Sequence, residues 1–134
     1  MINLLIFTLD GKKYALDLSH VKKVFLSVEL NYIPHARAHI AGAISIHGQI
    51  VNVINMRTLL GLPSRELDVK DRFILCEHSD QFCALWVDSV EKISSCTPEE
   101  LIATDSSHLI LKNDEHMTLF FDLKKLMVPA CNSN

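Results

Sequence analysis

Short apolar runs separated by polar turns are the main pattern of this 134-residue chain. LLIFTL at residues 4–9 and FILC at 73–76 are two such runs, and Ile and Val dominate residues 43–54. Branched side chains of this kind favour strands. Many short strands with polar turns between them are typical of a small barrel or a sandwich.

Turn and capping residues divide these runs. Asp10-Gly11 suits a hairpin turn because glycine tolerates positive φ, and Asn113-Asp114 can form a turn less readily. Gly48 marks a chain reversal, and Asn55 is a good N-cap for a short helix after it. Residues 42–62 are therefore expected to form a strand, a tight turn, a second strand and a short helix.

The chain also repeats itself. With an offset of 69, YALDLSHVKKV (14–24) lies over CALWVDSVEKI (83–93), and with an offset of 67, NVINMRTLL (52–60) lies over LFFDLKKLM (119–127). We therefore divide the chain into two copies of one unit. A single domain over residues 1–134 would then consist of subdomains at about 4–62 and 73–128, joined by a polar linker at 63–72. Neither copy alone would bury a sizeable core, so the two are expected to pack together and to leave a groove at their seam.

Composition narrows the possible functions. Hydrophobic residues make up 49% and charged residues 22% of the chain, the net charge is −3 and the isoelectric point is about 6.1. A nucleic-acid partner would normally require a basic surplus. No apolar run reaches the roughly 18 residues of a membrane span, and the start lacks the features of a signal peptide. We therefore expect a cytoplasmic protein without nucleic acid as a partner and without direct membrane insertion.

No catalytic or metal motif stands out. A glycine-rich phosphate loop, a GxSxG elbow and an HExxH pair are all missing from the sequence. His35 and His39 have helical spacing but no obvious third ligand, and no two of the four cysteines form a CxxC pair. Cys76 and Cys83 could face each other across a hairpin, either as core thiols or as a disulfide. Neither an enzyme nor a bound cofactor or metal is expected.

The ordered series of motifs resembles the CheW family, the coupling scaffold of bacterial chemotaxis arrays. The resemblance covers nearly the whole chain, through LLIFTLDGKKYALDLSHVKKV (4–24), Gly42–Met56 after Ile33-Pro34, Trp86–Val90 and Phe120–Leu126. It implies a mostly β fold of two intertwined, five-stranded SH3-like barrels with short helices. It also implies a non-enzymatic adaptor with two partners. One is the cytoplasmic helical hairpin tip of a chemoreceptor, lying in the seam between the barrels, and the other is the regulatory domain of a CheA-type histidine kinase.

One motif departs from the family pattern. The family has Asn-Leu-Arg-Gly where this chain has Ser45-Ile46-His47-Gly48. Arginine offers a permanent charge and five donors, whereas histidine offers at most two and loses its charge near neutral pH. We therefore expect a divergent member, with His47 either contacting the receptor or lying solvated in a hairpin without a role.

Other candidate contacts with partners are apolar. On the first barrel they are Val24, Phe25, Leu30 and Tyr32, and on the second Trp86 and Val87. Trp86 could be an exposed interface anchor or could fill the core between the barrels. The kinase-binding surface is expected at an apolar edge of one barrel.

Two alternative functions stay open at this point. A divergent regulator of this fold could bind only one of the two partners, in a chemosensory pathway unrelated to motility. A small barrel could also bind a ligand or a nucleic acid, since fold alone does not fix function. The acidic balance and the aromatic content of 7% argue against stacking on single-stranded nucleic acid.

Overall fold

The computed structural model describes residues 1–103, 109–111 and 118–123. Eleven strands dominate these residues, together with one short helix, α1 (Met56–Leu59), and two 3₁₀ turns, Leu18–His20 and Pro98–Glu100. The strands are β1 (Ile2–Leu9), β2 (Lys12–Asp17), β3 (Val21–Leu26), β4 (Ile40–Ile46), β5 (Gln49–Asn55), β6 (Arg72–His78), β7 (Gln81–Val87), β8 (Ser89–Cys96), β9 (Leu101–Ala103), β10 (Leu109–Leu111) and β11 (Leu119–Phe121). The expectation of a mostly β fold is confirmed.

The strands form two sheets, and each sheet contains strands from both sequence repeats. The six-stranded sheet has the order β8-β1-β2-β11-β10-β9, and the five-stranded sheet has the order β3-β6-β7-β5-β4. Strand β3 follows β2 in the chain but pairs with β6, and β8 follows β7 but pairs with β1. The two repeats are therefore intertwined: β1 and β2 of the first repeat lie in the sheet of β8–β11, and β6 and β7 of the second repeat lie in the sheet of β3–β5.

Neither sheet is a closed barrel over the described residues. The five-stranded sheet approaches closure through one bridge, in which Asn31, downstream of the edge strand β3, exchanges both backbone hydrogen bonds with Ala43 of the opposite edge strand, at 2.8 and 2.9 Å. Gly42 permits this approach, because a Cβ there would lie 2.8 Å from the carbonyl oxygen of Asn31. The expected barrel is thus an open sheet held by a two-bond bridge.

The pairing register repeats together with the sequence. In the antiparallel pair β1–β8, Leu5 lies opposite Ile93. Adding 69 to Leu5 and subtracting 69 from Ile93 gives Ile74 and Val24, which lie opposite each other in the pair β6–β3. The repeat seen in the sequence is therefore a repeat of backbone pairing.

The parallel pairs repeat in the same way. Phe120 of β11 lies opposite Ala15 of β2, and Val53 of β5 lies opposite Ala84 of β7. Phe120 and Val53 are related by the offset of 67, and the two alanines by the offset of 69. The last strand of each repeat thus pairs in parallel with the second strand of the other repeat, opposite an alanine that is fully buried.

Strands β1, β2, β6 and β7 contain consecutive buried residues and are therefore buried on both faces, which explains their continuous apolar runs. One set of side chains forms a core between the two sheets, and alternate residues of the same strands form a separate interior in each sheet. The central core contains Leu5, Phe7, Leu9, Tyr14, Leu16, Ile54, Met56, Ile74, Cys76, Cys83, Leu85, Val87 and Leu123. The interior of the five-stranded sheet contains Ile44, Val51, Val53, Phe73, Leu75, Ala84 and Trp86, and that of the six-stranded sheet contains Leu4, Ile6, Ala15 and Cys96.

The predicted local signals are confirmed where they lie in the described residues. Asp10-Gly11 joins β1 to β2 with both φ angles positive. The Asn55 side chain caps α1 by accepting from the backbone amides of Arg57 and Thr58, at 3.1 and 3.3 Å. The predicted turn at Asn113-Asp114 and the motif end at 124–126 lie outside the described residues.

Candidate partner-binding surface

The hairpin between β4 and β5 projects a small exposed tip. His47 and Gly48 form its two-residue turn with φ angles of 51° and 81°, the combination of a type I′ turn. Ser45, His47 and Gly48 are exposed, whereas Ile46 is partly buried against the interior of the five-stranded sheet. The predicted tetrapeptide is therefore presented to solvent with one side chain anchored below it.

Ile50 adds an apolar side chain to this tip that sequence reasoning missed. It lies opposite Ser45 in the register and is 71% exposed. The alternation in β5 carries the signal, because Val51 and Val53 are buried and Ile50 must then point to the other face. A partner that covered the Ile50 side chain would remove this apolar surface from water.

A second exposed apolar surface lies along the edge strand β3 and the residues just after it. Val24, Leu26 and Val28 are 37%, 60% and 49% exposed. Only Val24 was predicted to be part of a binding surface. Phe25 is partly buried and packs edge-to-face on Phe73, with ring centroids 5.8 Å apart, so it supports the strand from inside. We call Val24, Leu26 and Val28 the β3 edge strip.

The remaining predicted residues of this segment have different positions. Leu30 is partly buried against the interior of the five-stranded sheet, and Tyr32 is 84% exposed. Tyr32 directly follows the Asn31–Ala43 bridge and is therefore held at the edge strand β4. The prediction assigned this segment to the first barrel together with the β4–β5 hairpin, and β3, β4 and β5 do lie in one sheet, with β6 and β7 between β3 and β5.

Trp86 and Val87 are core residues. Trp86 is 7% exposed, and Val87 is fully buried in the core between the sheets. Trp86 fills the interior of the five-stranded sheet, so it is neither an exposed anchor nor part of the core between the sheets. A direct contact of either residue with a partner does not fit this burial.

The indole of Trp86 is tied to a strap, residues 63–71, that was predicted only as a polar linker. Trp86 Nε1 donates to Oδ2 of Asp71 at 2.8 Å. Asp71 is 1% exposed, and both of its carboxylate oxygens accept from the Arg65 guanidinium, at 2.8 and 2.7 Å. Leu67 packs against the same interior. The strap therefore covers the five-stranded sheet next to its tryptophan.

Charge inside the strap is strongly stabilised. Burial by itself would raise the pKa of Asp71, but hydrogen bonds from Arg65, the Asp68 amide and Trp86 outweigh burial and lower that pKa below its ordinary value. The hydrogen bond to Asp71 raises the pKa of Arg65 in turn. Both groups are therefore charged at neutral pH.

Asp88 is a second carboxylate that joins several elements. It accepts from Nη2 of Arg57 at 2.6 Å and from Nη2 of Arg65 at 2.9 Å. It also accepts from the backbone amide of Asp10, in the β1–β2 turn, at 2.8 Å. Asp88 is part of the quoted motif Trp86–Val90, and the structure gives it a structural role at the junction of the two sheets.

The described residues offer little for catalysis. Over residues 1–103, 109–111 and 118–123, no group of three or more His, Cys, Asp or Glu side chains is arranged to hold a metal. Burial raises the pKa of the Cys96 thiol, with Glu100 adding to the effect, so that thiol is a poor nucleophile. Cys76 and Cys83 lie opposite each other in the register and are fully buried.

Known proteins that resemble this chain are CheW proteins and a CheW-like domain family. A CheW-like domain model matches residues 3–129. The chain belongs to the CheW-like domain family. It is 24% identical over 128 residues to the chemotaxis protein CheW of Thermotoga maritima, covering 90% of this chain and 84% of that protein. It is 26% identical over 98 residues to the chemotaxis protein CheW of Bacillus subtilis, covering 73% of this chain and 63% of that protein.

A solved structure extends this likeness to three dimensions. The crystal structure of the scaffolding protein TtCheW from Thermoanaerobacter tengcongensis superposes with a TM-score of 0.81 at 25% identity, covering 90% of this chain and 88% of that one. As a CheW-like domain, the chain is a non-enzymatic adaptor of chemotaxis. None of the helices among the described residues is both long and apolar enough to cross a membrane.

Proposed function

We propose that this adaptor couples a chemoreceptor to a CheA-type histidine kinase through two surfaces of its five-stranded sheet. The observation that carries the proposal is the exposure of apolar side chains at two places on this one sheet, the β4–β5 tip and the β3 edge strip. Both lie in a fold shared with a scaffolding protein. A scaffold needs two separate surfaces, and these two surfaces are formed by different strands.

The receptor surface consists of Ser45–Gly48 with Ile50 and Tyr32. Ile50 and Tyr32 are 71% and 84% exposed and would lose much of their contact with water against the helical hairpin tip of a receptor. His47 supplies donors from a turn whose backbone is fixed by paired strands on both sides. This surface thus combines apolar contact with a directional polar group.

The kinase surface is the β3 edge strip. Strand β3 is an edge of the five-stranded sheet, and apolar edge strands are normally protected by charge, by short length or by a partner. Lys22 and Lys23 supply charge near the start of β3, whereas Leu26 at its end and Val28 just beyond it are apolar and exposed. The regulatory domain of the kinase would cover this strip and so protect the edge.

Binding measurements with single variants test the two surfaces separately. Titration calorimetry would use the purified hairpin tip of a receptor and the regulatory domain of a CheA-type kinase, both from the same organism as this chain. His47→Glu and Ile50→Ser should each weaken receptor binding at least tenfold and leave kinase binding unchanged. Leu26→Ser should do the reverse.

Ile93→Ser is the matched control. Ile93 is 64% exposed on β8, the edge of the other sheet, at the position that the sequence repeat relates to Val24. This variant should bind both partners like wild type. Wild type that binds only one partner would support the one-partner regulator instead, and binding that neither surface variant changes would contradict the proposed surfaces.

This function places the chain in the cytoplasm, recruited to membrane-associated receptor arrays. A fluorescent fusion should form clusters at the membrane in wild type and spread through the cytoplasm in Ile50→Ser. Clusters that persist in Ile50→Ser would contradict recruitment through the receptor surface.

A further inference from the structure

The strap ends in a tight β-turn at residues 68–71, which we call the strap turn. The Asp71 amide donates to the Asp68 carbonyl at 2.9 Å and closes the turn. The Asp68 carboxylate accepts from the Lys70 amide at 2.8 Å, and the Asp68 amide donates to the Asp71 carboxylate at 2.9 Å. Three hydrogen bonds within four residues therefore fix the backbone of the strap turn.

Residues outside the strap hold this turn in place. Ser27, just after β3, donates from its amide to the Asp71 carbonyl at 3.1 Å and from its hydroxyl to the Asp68 carbonyl at 3.0 Å. Nη1 of Arg72, at the start of β6, donates to the carbonyls of Lys70 and Asp71, at 2.6 and 3.2 Å. The strap turn is therefore attached to the end of the β3 edge.

Val69 occupies the first corner position of the strap turn and is 85% exposed. Turn corners favour Gly, Pro, Asn, Asp and Ser, whereas valine favours strands. Leu67 already anchors the strap to the interior of the five-stranded sheet. The Val69 side chain thus adds little to the packing of the fold and presents apolar surface to water from a fixed backbone.

Ser27 brings this valine to the β3 edge strip. In the chain it lies between Leu26 and Val28, which are 60% and 49% exposed. Its hydroxyl bonds to Asp68, the residue directly before Val69. Exposed apolar side chains from two chain segments therefore flank one hydrogen bond at the edge of the five-stranded sheet.

Charge on these two segments is balanced. Among the residues that the structure describes, exposed Lys23, Lys70, Glu29 and Glu66 form no salt bridge. The other charged side chains of the segments are engaged in ion pairs or hydrogen bonds, namely Lys22, Arg65, Asp68, Asp71 and Arg72. Two positive and two negative side chains cancel, so the surface favours an apolar partner over a strongly acidic or basic one.

We propose that the strap turn is the second segment of the kinase-binding surface, with Val69 as an apolar contact that the kinase regulatory domain covers together with Leu26 and Val28. This inference rests on the proposed function and extends its kinase surface from one strand to two segments. Continuity through Ser27 carries it. A partner that covers all three side chains removes more apolar surface from water than the strand alone offers, and two fixed segments define its orientation.

Titration calorimetry with the regulatory domain of a CheA-type kinase from the same organism tests this contact. Val69→Ser should weaken kinase binding about threefold or more and leave receptor binding unchanged, whereas Val69→Ile, which keeps the apolar surface, should bind like wild type. Lys70→Ser should change the affinity less than about twofold, and so should raising the salt from about 0.05 to about 0.3 M. Because Val69 is exposed, Val69→Ser should unfold at the wild-type midpoint.

A photoreactive amino acid at position 69 measures proximity directly. It should crosslink to the kinase domain and not to the receptor hairpin tip, and the same group in place of Ile93, on the edge of the other sheet, should crosslink to neither. Lack of a kinase crosslink from position 69 would overturn the proposal.

The outcomes separate this inference from the proposed function on which it rests. Weaker kinase binding in Leu26→Ser, with wild-type binding in Val69→Ser, would overturn the role of the strap turn and leave the β3 edge strip as the kinase surface. Wild-type binding in both variants would contradict both. Self-association of the chain that Val69→Ser abolishes, measured by sedimentation, would also overturn the inference, because a second copy would then cover the turn.

Discussion

The interiors of the two sheets share one strand register and differ in what fills them. Leu4 in the six-stranded sheet corresponds to Phe73 in the five-stranded sheet, and Ala15 corresponds to Ala84. The position of Trp86 corresponds to Asp17 in the other repeat, which lies half-buried at the end of β2. The larger side chains of the five-stranded sheet are covered by the strap at 63–71, through Leu67 and Asp71.

The comparison shows which features of the two repeats are the same and which differ. Backbone pairing and the buried alanines at the parallel pairs are the same in both repeats, because β2 and β7, which carry these alanines, each have a neighbouring strand on both sides. Side chains inside each sheet need only fill their own interior. Over the part of the chain that the structure describes, the five-stranded sheet has the larger interior side chains, a charged strap and both proposed binding surfaces.

Alanine variants of two equivalent buried residues should show how much each interior contributes to stability. Phe73→Ala should cost about 3–5 kcal/mol and Leu4→Ala about 2–5 kcal/mol in the free energy of unfolding, since both side chains are fully buried. Urea denaturation followed by fluorescence of Trp86, the single tryptophan of the chain, measures both losses.

The native emission spectrum distinguishes the two variants. Phe73→Ala should shift the emission of Trp86, which shares its cluster, whereas Leu4→Ala should leave the native spectrum unchanged. A shift of equal size in both variants would show that the interiors are not separate.

Loss of the strap carboxylate is the next largest effect. Asp71→Ala should cost about 2–4 kcal/mol, because the Trp86 indole N–H loses its acceptor and the Arg65 guanidinium keeps only Asp88 and the Glu66 carbonyl. The figure is below that for a fully buried pair because Arg65 is partly exposed. Asp80→Ala, in an exposed turn, is the control and should cost less than about 0.5 kcal/mol. Equal unfolding midpoints of the two variants would show that the strap does not stabilise the sheet.

Acid should remove the same contribution. Because the folded state lowers the pKa of Asp71, the carboxylate stabilises the fold above the ordinary aspartate pKa of about 3.8, and this stability is lost as the pH falls through the lowered value. Stability measured between about pH 5 and pH 2 should therefore fall less steeply in Asp71→Asn than in wild type. Parallel curves would contradict the lowered pKa.

The bridge at Gly42 predicts a smaller and more local effect. Gly42→Ala should cost about 1–3 kcal/mol, because its Cβ would press on the Asn31 carbonyl oxygen. Gly48→Ala has open space but a φ of 81°, and should cost about 1 kcal/mol through backbone strain alone. Loss of amide protection at Asn31 and Ala43 only in the Gly42 variant would identify the bridge, and unchanged protection there would contradict it.

Loss of the exposed ion pairs should have the smallest effect on the free energy of unfolding. Lys22–Glu77 and Lys13–Glu91 occur one in each sheet, and both are partly exposed. Lys22→Ala and Lys13→Ala should each change the free energy of unfolding by less than about 1 kcal/mol, with a smaller effect at high salt. A loss of several kcal/mol in either variant would contradict the small contribution that we expect from partly exposed ion pairs.

The sequence predicts much of this fold because local signals and backbone pairing agree. The offset of 69 between Ala15 and Ala84 anticipates the shared register, and Asn55 anticipates the start of α1. The pairing of β3 with β6 and of β8 with β1 was not predictable in detail, since the sequence of a strand does not show which strand it pairs with.

The candidate site was predicted in part. The exposed turn at Ser45–Gly48 was found, because turn chemistry is local. Trp86 was left open between an exposed anchor and a core residue, because the strap that covers it includes Asp71, 15 residues earlier in a segment that looks like a simple linker. Leu26 and Ile50 were missed because their exposure depends on which face of a strand the sheet buries.

Formation of a ternary complex tests the central claim most directly. The chain would be mixed with the receptor hairpin tip and the kinase regulatory domain, and the mass of the complex would be measured by analytical ultracentrifugation. The account predicts a species that contains all three components and is lost when Ile50→Ser and Leu26→Ser are combined, while Ile93→Ser retains it. Two binary complexes that exclude each other would contradict coupling through two separate surfaces.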